Sequence, residues 1–573
     1  MIVPCCEEGR GGGHLNRSIS LTKDLRSAGR EAYLCLQEKK EKINNLLQIK
    51  KIDESWIIHK NQTNRPFGLV VLDRFQTPCD ELIHWKKIAP VIGIDEGGKY
   101  RDYFDFLIDI LIPEEFEKPS ANITSCGLLD LPKKRKIKRD AKNSNLKILI
   151  TFGQEDAAGL GLSAIEKIAQ MNLKEAEITL LKGGLNNSKS PIPDYVKVLD
   201  FIPDLAERLY EYDIVITHYG ITAYEALYAG TTVLLDHPTS YHKKIAKAAG
   251  FQDIEKLGSI ISRLKIKEES LAELLNSFTP QVNKTCPVCG KGTNKHSLAR
   301  FTDRTYRRCS RCGVLFMDRA YPPPIEYEKE YFFESYKKQY GKTYLEDFPN
   351  LVTIAKRRLK IISKISPVKT AEEQKKKDYY PPIVLDIGCA YGAFLSAAKE
   401  DGFLPFGIDP AQDAVRYVQE TLSIPAVQGF FPNYPLSTPN SQLYDVVTLW
   451  YVIEHFTDLN TVLAKIKKLL KPGGILAFST PSFSGISGRK SLRKFLENSP
   501  ADHFTIWSPK MCKKALAIAG FKVKKITMSG CHPERFPFLG KFAENKESRL
   551  YGLLMTVSKI FGLGDTFEVY AKN

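Results

Sequence analysis

Four cysteines stand in two C-x-x-C pairs, Cys286-Pro-Val-Cys289 and Cys309-Ser-Arg-Cys312, with nineteen residues between the pairs. Two such turns present four thiolates to one ion tetrahedrally, a ligand set suited to a structural Zn2+, with iron as the alternative that thiolate chemistry leaves open. A second constellation spans residues 384–410, where an apolar run ends at Asp386, Gly388 and Gly392 open a turn, a helix starts near Phe394, and a further strand ends at Asp409. An acid about twenty residues beyond a glycine turn is where a carboxylate grips ribose hydroxyls, so this stretch reads as a nucleotide-cofactor cradle. A second glycine loop, with Gly9, Gly11, Gly12 and Gly13, leads into a helix carrying His14, Asn16 and Arg17. Further along, Gly220, Thr222 and Glu225 stand where a strand ending at His218 meets a helix.

Parallel α/β units must position these groups. Short apolar runs near residues 1–6, 32–36, 67–72 and 91–94, the last two ending at Asp73 and Asp95, alternate with helical stretches and predict a parallel sheet. Residues 132–145, PKKRKIKRDAKNSN, are basic and poor in apolar side chains, and read as an exposed linker. Strand-like runs then restart with LKILITFG, AEITLLKGG, VKVLDFIP and YDIVITHYG. The Cys pairs predict a unit too small to fold on an apolar core alone. Beyond it lie a Tyr- and Pro-rich connector at 321–344, an amphipathic basic helix over 350–366 and a charged loop at 372–378. Residues 444–456 are expected as a strand ending in Glu454-His455, followed by a helix, a Lys-Pro-Gly-Gly turn and another strand.

With 573 residues, 43% hydrophobic and 26% charged, the chain is ordinary for several globular domains, and general disorder is excluded. The net charge of +17 favours anionic partners, without choosing among nucleic acid, acidic lipid and phosphorylated metabolites. The N-terminus has no basic segment leading into a long apolar stretch, no run of eighteen apolar residues follows, and the cysteines form no disulfide framework; a cytoplasmic protein is expected.

The run Gly11, Gly13, His14, Arg17, together with Gly220 and Glu225, resembles the nucleotide-sugar hydrolase of pseudaminic acid synthesis and the related type B glycosyltransferases. The resemblance covers most of residues 1–255 and implies two Rossmann-like lobes with a nucleotide sugar in the cleft. Gly13 and Arg17 would line that cleft, the amides around Gly220 and Thr222 would face the diphosphate, Glu225 the ribose, and His14 would activate water. Tyr241 and His242 stand where those enzymes carry an Asn-Gln pair. The run D-I-G-C-A-Y-G at 386–392, Asp409, V-I-E-H at 452–455 and L-K-P-G-G at 470–474 resemble class I S-adenosylmethionine-dependent methyltransferases. That resemblance implies Asp386, Gly388, Cys389, Ala390 and Gly392 around the methionine part of the donor, Asp409 on the ribose, Gly429 and Phe430 near adenine, and Glu454 in the cofactor pocket. It implies His455 or His503 as the base for a hydroxyl acceptor. A zinc ribbon immediately before such a domain resembles methyltransferases of sugar and secondary metabolism.

The expected architecture is α/β throughout: a two-lobed Rossmann-like module of the GT-B type (1–135 and 145–278), a zinc ribbon (284–318) and a class I methyltransferase domain (346–573). The expected function is methyl transfer from S-adenosylmethionine in nucleotide-sugar or surface-glycan biosynthesis, with a nucleotide sugar, glycan or glycolipid as acceptor, structural Zn2+, and peripheral membrane association as an option. Two alternatives stay open. One puts the main activity in the N-terminal module as a glycosyltransferase or nucleotide-sugar hydrolase. The other is a nucleic-acid methyltransferase that uses Arg307, Arg308 and Arg311, and it is the less favoured.

Overall fold

The computed structural model describes residues 1–6, 13–36, 47–63, 65–113, 116, 120–135, 146–153, 156, 158–170, 176–182, 192–200, 202, 204–254, 266–291, 296–322, 336–337, 341–365, 381–434 and 443–573. Gly9, Gly11 and Gly12 of the first glycine loop, most of the basic linker and the Tyr-rich connector, and the charged loop at 372–378 lie outside them. The chain forms two compact units. One comprises Met1–Val282, Arg300–Thr305 and Asp318–Tyr321; the other comprises Asn283–Ala299, Tyr306–Met317 and Pro322–Asn573.

The first unit carries two open sheets. Among the described residues, the first contains β1 (Ile2–Pro4), β2 (Leu34–Leu36), β3 (Ile57–His59), β4 (Val70–Asp73), β5 (Val91–Ile94), β6 (Phe106–Asp109) and β7 (Ile123–Thr124). Their order is β3-β2-β1-β4-β5-β6-β7, with every pairing parallel. The second sheet contains β8 (Lys147–Ile150), β9 (Glu177–Leu181), β10 (Val196–Leu199), β11 (Ile214–Thr217), β12 (Thr232–Leu235) and β13 (Gln252–Asp253). It too is parallel, in the order β10-β9-β8-β11-β12-β13. Central strands such as Val70–Asp73 and Val91–Ile94 are buried along their whole length, as parallel strands covered on both faces must be. In each sheet the strand order reverses beside the first strand, which opens a crevice at the carboxyl ends of the strands.

Residues far along the chain complete this unit. The buried Arg300 guanidinium donates to the carbonyls of Phe104 (2.8 Å) and Asp105 (3.2 Å). Asn122 Nδ2 donates to the Phe301 carbonyl at 2.8 Å, and Thr305 Oγ1 to that of Asp105 at 2.9 Å. No hydrophobic pattern announces these contacts, because polar side chains satisfying distant backbone carbonyls make them.

β14 (Ser297–Phe301), β15 (Arg304–Arg308) and β16 (Leu315–Arg319) follow the first C-x-x-C pair as neighbouring strands of one sheet. The larger sheet of the second unit contains β17 (Ile383–Ile387), β18 (Leu404–Asp409), β19 (Ala426–Gln428), β20 (Tyr444–Trp450), β21 (Leu470–Pro481), β23 (Lys522–Ser529) and β24 (Thr566–Lys572), while β22 (Thr505–Ile506) pairs antiparallel with β16. The larger sheet runs β19-β18-β17-β20-β21-β24-β23, parallel through β21, with β24 antiparallel between β21 and β23. The helix Tyr344–Ile365 starts earlier than expected and buries Ala355, Leu359 and Ile362 in a cluster with Val384, Phe394 and Tyr570. The Lys-Pro-Gly-Gly segment does not form a free turn; it joins the start of β21, with Gly473 at φ 76°. Glu454 and His455 are not on a strand. The chain turns at Tyr451, whose φ is 60°, and they fall on a short 3-10 turn, Ile453–His455.

Candidate functional site

The cradle lies where the strand order of the larger sheet reverses, at the carboxyl end of β17 between β18 and β20. Gly388 (φ 72°), Ala390 (φ 46°) and Gly392 (φ 79°) all take left-handed backbone, which turns the chain from β17 into the helix Ala393–Glu400. A Cβ on Gly388 would lie 2.4 Å from Val452 Cγ2, so the loop packs directly on the segment that carries Glu454 and His455. Asp409 Oδ2 accepts from the Ala390 amide at 2.8 Å and its Oδ1 from Ala411 at 2.9 Å. The acid therefore holds the loop closed from the neighbouring strand. The Gly429 amide donates to the Asp409 carbonyl at 3.0 Å, which places Gly429 beside the acid, and Phe430 next to it is exposed. Cys389 is buried among Leu395, Val415 and Val418.

Both acids of the cradle are strongly desolvated. Burial pushes the Asp386 carboxyl up to about 8 although Thr448 donates to it at 2.6 Å, and pushes Asp409 up to about 6 despite its two amide donors. A desolvated carboxyl is stabilised in its charged form by a nearby cation, so the pocket favours a cationic guest. Tyrosines pack beside the loop: Tyr391 clusters with Ala390, and Tyr344 lies 5.8 Å from Tyr391 and 5.3 Å from Tyr336, ring centre to ring centre. The sequence pointed only to a Tyr-rich connector, since periodicity does not say which tyrosine reaches the loop.

Glu454, His455 and His503 converge beside this cradle, with one ligand atom of each within 4.8 Å of the others. The rings of His455 and His503 meet edge to face at 4.8 Å. His455 Nδ1 lies 2.8 Å from a carboxylate oxygen of Asp502. Burial acts to lower the His455 pKa, but the bond to Asp502 and the charge of Glu454 outweigh it and the imidazole is raised. Glu454 is fully buried and pushed up to about 7 by desolvation. Among the described residues neither of its oxygens has a hydrogen bond of normal geometry, and the nearby Thr480 hydroxyl is in the same state. A cleft of about 920 Å³ reaches His503 and is lined by Lys490, Lys494, Phe495 and Arg535, with Arg535 held to Asp565 at 2.7 Å. The pairing of His455 with His503 was legible only as two separate candidates. Asp502 was missed, although it directly precedes His503 in the sequence.

The four cysteines of the two pairs form one buried cluster. Cys286 and Cys312 sulfurs are 3.6 Å apart, as are those of Cys289 and Cys309. Tetrahedral thiolates about 2.3 Å from an ion stand about 3.8 Å apart, so the cluster fits a metal with little adjustment. Each pair closes in the same way, with the Gly290 amide on the Cys286 carbonyl and the Gly313 amide on the Cys309 carbonyl, both at 2.9 Å. Both glycines take positive φ, at 65° and 83°. The cluster also packs into the core of the second unit, with Val314, Phe316, Trp507 and Cys512.

In the first unit, His14 Nδ1 lies 2.7 Å from Asp73 Oδ1 at the end of β4. Arg17 spans two strand ends, reaching Asp73 through Nε (3.0 Å) and Asp95 through Nη1 (2.7 Å). Burial alone would raise Asp73, but Arg17 and His14 hold it well below the usual carboxylate range. Gly13 faces the second sheet: a Cβ there would sit 3.3 Å from Ile221 Cδ1, beside Gly220 and Thr222 at the start of the helix Ile221–Tyr228. The Ala223 amide is used within that turn, donating to the Gly220 carbonyl at 3.1 Å. Glu225 is pushed up to about 7 by burial and by Asp130. Tyr241 packs its ring against Phe75 and Phe116, at 5.4 and 5.6 Å. The structure thus sets Gly13 against Ile221, next to Gly220 and Thr222 in the chain, and His14 against Asp73. Asp73, noted in the sequence only as a strand end, is the group that orients both His14 and Arg17.

Residues 355–526 match the family model described as a methyltransferase domain. Similar proteins include the ubiquinone biosynthesis O-methyltransferase of Vibrio atlanticus, 29% identical over 141 residues, which are 23% of this chain and 59% of the relative. The corresponding enzyme of Pectobacterium atrosepticum is 32% identical over 136 residues, 21% of this chain and 52% of the relative. The chain spans little more than half the length of these relatives. Among solved structures, a SAM-dependent methyltransferase from Archaeoglobus fulgidus is similar at 19% identity and a TM-score of 0.28, covering 42% of this chain and 98% of that one. One from Mesorhizobium loti is similar at 15% identity and a TM-score of 0.25, covering 35% and 96%. Residues 355–526 thus match a methyltransferase domain, set within an α/β chain of two compact units.

Proposed function

We propose that this protein transfers a methyl group from S-adenosylmethionine to a hydroxyl of a nucleotide-linked sugar or surface glycan. The observation that supports this most is the placing of Glu454, His455 and His503 directly against the glycine loop at the sheet's switch point. The donor supplies a methyl carbon activated by a positive sulfonium. The desolvated Asp386 and Asp409 suit that charge, with Asp386 and the loop Gly388, Cys389, Ala390 and Gly392 around the methionine part, Asp409 on the ribose, and Gly429 and Phe430 toward adenine. In-line displacement asks the protein mainly to hold donor and acceptor collinear and to take the acceptor's proton. His503, beside the Asp502-backed His455, lines a cleft that also holds Lys490, Lys494 and the Arg535–Asp565 pair, and the two lysines favour an anionic acceptor such as a sugar diphosphate. The four cysteines hold Zn2+ in a structural role. The protein acts in the cytoplasm or at its membrane face; no helix among the described residues is long and apolar enough to cross a membrane.

A second reading concerns the first unit, which we read as a GT-B-type module, and is favoured by the His14–Asp73 pair. A carboxylate on Nδ1 fixes the tautomer and directs Nε2 outward as a base, and Glu225 and the turn at Gly220 suit the ribose and diphosphate of a nucleotide sugar. Incubation with methyl-labelled donor and a panel of nucleotide sugars tests both, with label and free nucleotide followed together. Label in a sugar is expected; nucleotide release with no labelled sugar would leave the first unit as the main activity.

A further inference from the structure

Among the described residues, two groups of His, Cys, Asp and Glu side chains have the spacing to hold a metal ion, and only one of them was legible as such in the sequence. The other is Glu454, His455 and His503. We propose that these three side chains bind a divalent cation, and that the cation takes the acceptor hydroxyl as a further ligand.

The ligand set is the first argument. One carboxylate and two imidazoles are a common donor set for divalent transition metals, and three protein ligands leave positions open for substrate. With bonds of about 2.1 Å, ligand atoms stand about 3.0 to 4.2 Å apart, so the present separations of up to 4.8 Å close with small side-chain rotations.

The state of Glu454 is an independent argument. Its side chain is completely buried, both oxygens are without a normal hydrogen bond among the described residues, and one of them belongs to the cluster. An isolated buried carboxylate is strongly destabilising, whereas a carboxylate on a cation is satisfied.

Asp502 supplies the outer partner that such sites use. It holds Nδ1 of His455 at 2.8 Å, which fixes the orientation of the ring. His503 follows Asp502 in the chain, so one loop provides both a ligand and the group that orients the other. The cleft lined by Lys490, Lys494 and Arg535 ends at His503, which brings an acceptor to the open positions.

The role given to the cation rests on the methyl-transfer reading; the site itself does not. A hydroxyl bound to a divalent cation gives up its proton to solvent far more readily than a free one, so with the cation in place His455 and His503 act as ligands and the cation replaces the side-chain base of that reading. Its oxygen then forms the bond to the methyl carbon while the carbon–sulfur bond breaks and the electron pair stays on sulfur. The cation is neither oxidised nor reduced. An acceptor offering two neighbouring hydroxyls, as a sugar ring does, can fill two open positions and so be held in register with the donor.

The test uses the full chain with its four-thiolate cluster loaded with zinc, titrated with Mn2+ and followed by the electron paramagnetic resonance signal of the free ion. Mn2+ is chosen because it disfavours four thiolates. One Mn2+ per chain is expected, with affinity at least tenfold weaker in Glu454→Gln and in His503→Ala. The second variant alters a partly exposed loop residue and stands in if the first fails to fold, as judged by circular dichroism. No saturable Mn2+ binding in the parent chain, or equal binding in both variants, overturns the proposal. S-Adenosylhomocysteine binding is measured by calorimetry on the same samples. Loss of that binding with the Mn2+ site intact overturns the methyl-transfer reading and leaves the site standing; intact binding with no Mn2+ site does the reverse.

Discussion

Asp386 is surrounded by strand and loop residues that remove it from water, and Thr448 is its hydrogen-bond partner. Because burial moves its pKa from an ordinary 3.8 to about 8, the folded protein binds this proton more tightly than the unfolded chain does. Its contribution to stability is therefore complete in acid and is lost as the pH rises toward about 8. Asp386→Asn is expected to raise the unfolding temperature of the donor-free protein by several degrees at mildly alkaline pH, and to leave it nearly unchanged in acid. A cationic donor reverses the balance, since a positive charge beside the carboxyl stabilises its ionised form. Binding near neutral pH should then release up to one proton per chain, measured as a dependence of the calorimetric heat on the buffer's ionisation enthalpy. Proton uptake, or no dependence at all, would contradict the cationic-guest reading. The sequence showed Asp386 and Asp409 as the ends of two strands, and that much is legible because an acid closing an apolar run has few other uses. It did not show Asp502 behind His455 or Asp73 behind His14, since those pairs join segments through the fold.

The glycine loop and the cysteine turns show which local structures a sequence announces. Gly388 and Gly392 read as a turn because their left-handed backbone selects glycine, yet Ala390 takes φ 46° in the same loop with a side chain that disfavours it. Ala390→Gly should therefore be neutral or stabilising by about 1 kcal/mol. Gly388→Ala should destabilise by more than that and weaken donor binding, because its Cβ would meet Val452 Cγ2 at 2.4 Å. Equilibrium unfolding in urea measures both, and equal effects from the two changes would contradict the geometry. Tyr451, at φ 60°, is the opposite case: nothing in its type signals a left-handed residue, so the end of β20 reads as a continuous strand when in fact it turns Glu454 and His455 inward. The C-x-x-C spacing, by contrast, was enough to expect the four cysteines in one cluster. Cys309→Ser should remove one tightly held zinc per chain, seen by elemental analysis, and lower the unfolding temperature, because the cluster is packed into the core of the second unit. Unchanged zinc content would mean that the thiolates are not the ligands.

For the chain as a whole, alternation of strands and helices was enough to expect parallel sheets, and the first unit carries two, while the larger sheet of the second is mixed. The compact units are less legible, because Arg300–Thr305 and Asp318–Tyr321 join the first unit through polar side chains rather than an apolar stripe. The net charge of +17 does not distinguish a sugar diphosphate from a nucleic acid, since either is anionic. Salt separates them: binding to RNA or DNA through many phosphates falls steeply with ionic strength, whereas discrimination by a few side chains in a cleft persists. The most direct measurement of the central claim follows methyl label and free nucleotide in one reaction, for the parent chain, His455→Ala and His14→Ala, with methyl-labelled S-adenosylmethionine and a panel of nucleotide sugars. Label is expected in a sugar with the parent chain and with His14→Ala, and at least a hundredfold less with His455→Ala. No labelled sugar from the parent chain, or undiminished labelling by His455→Ala, would contradict it.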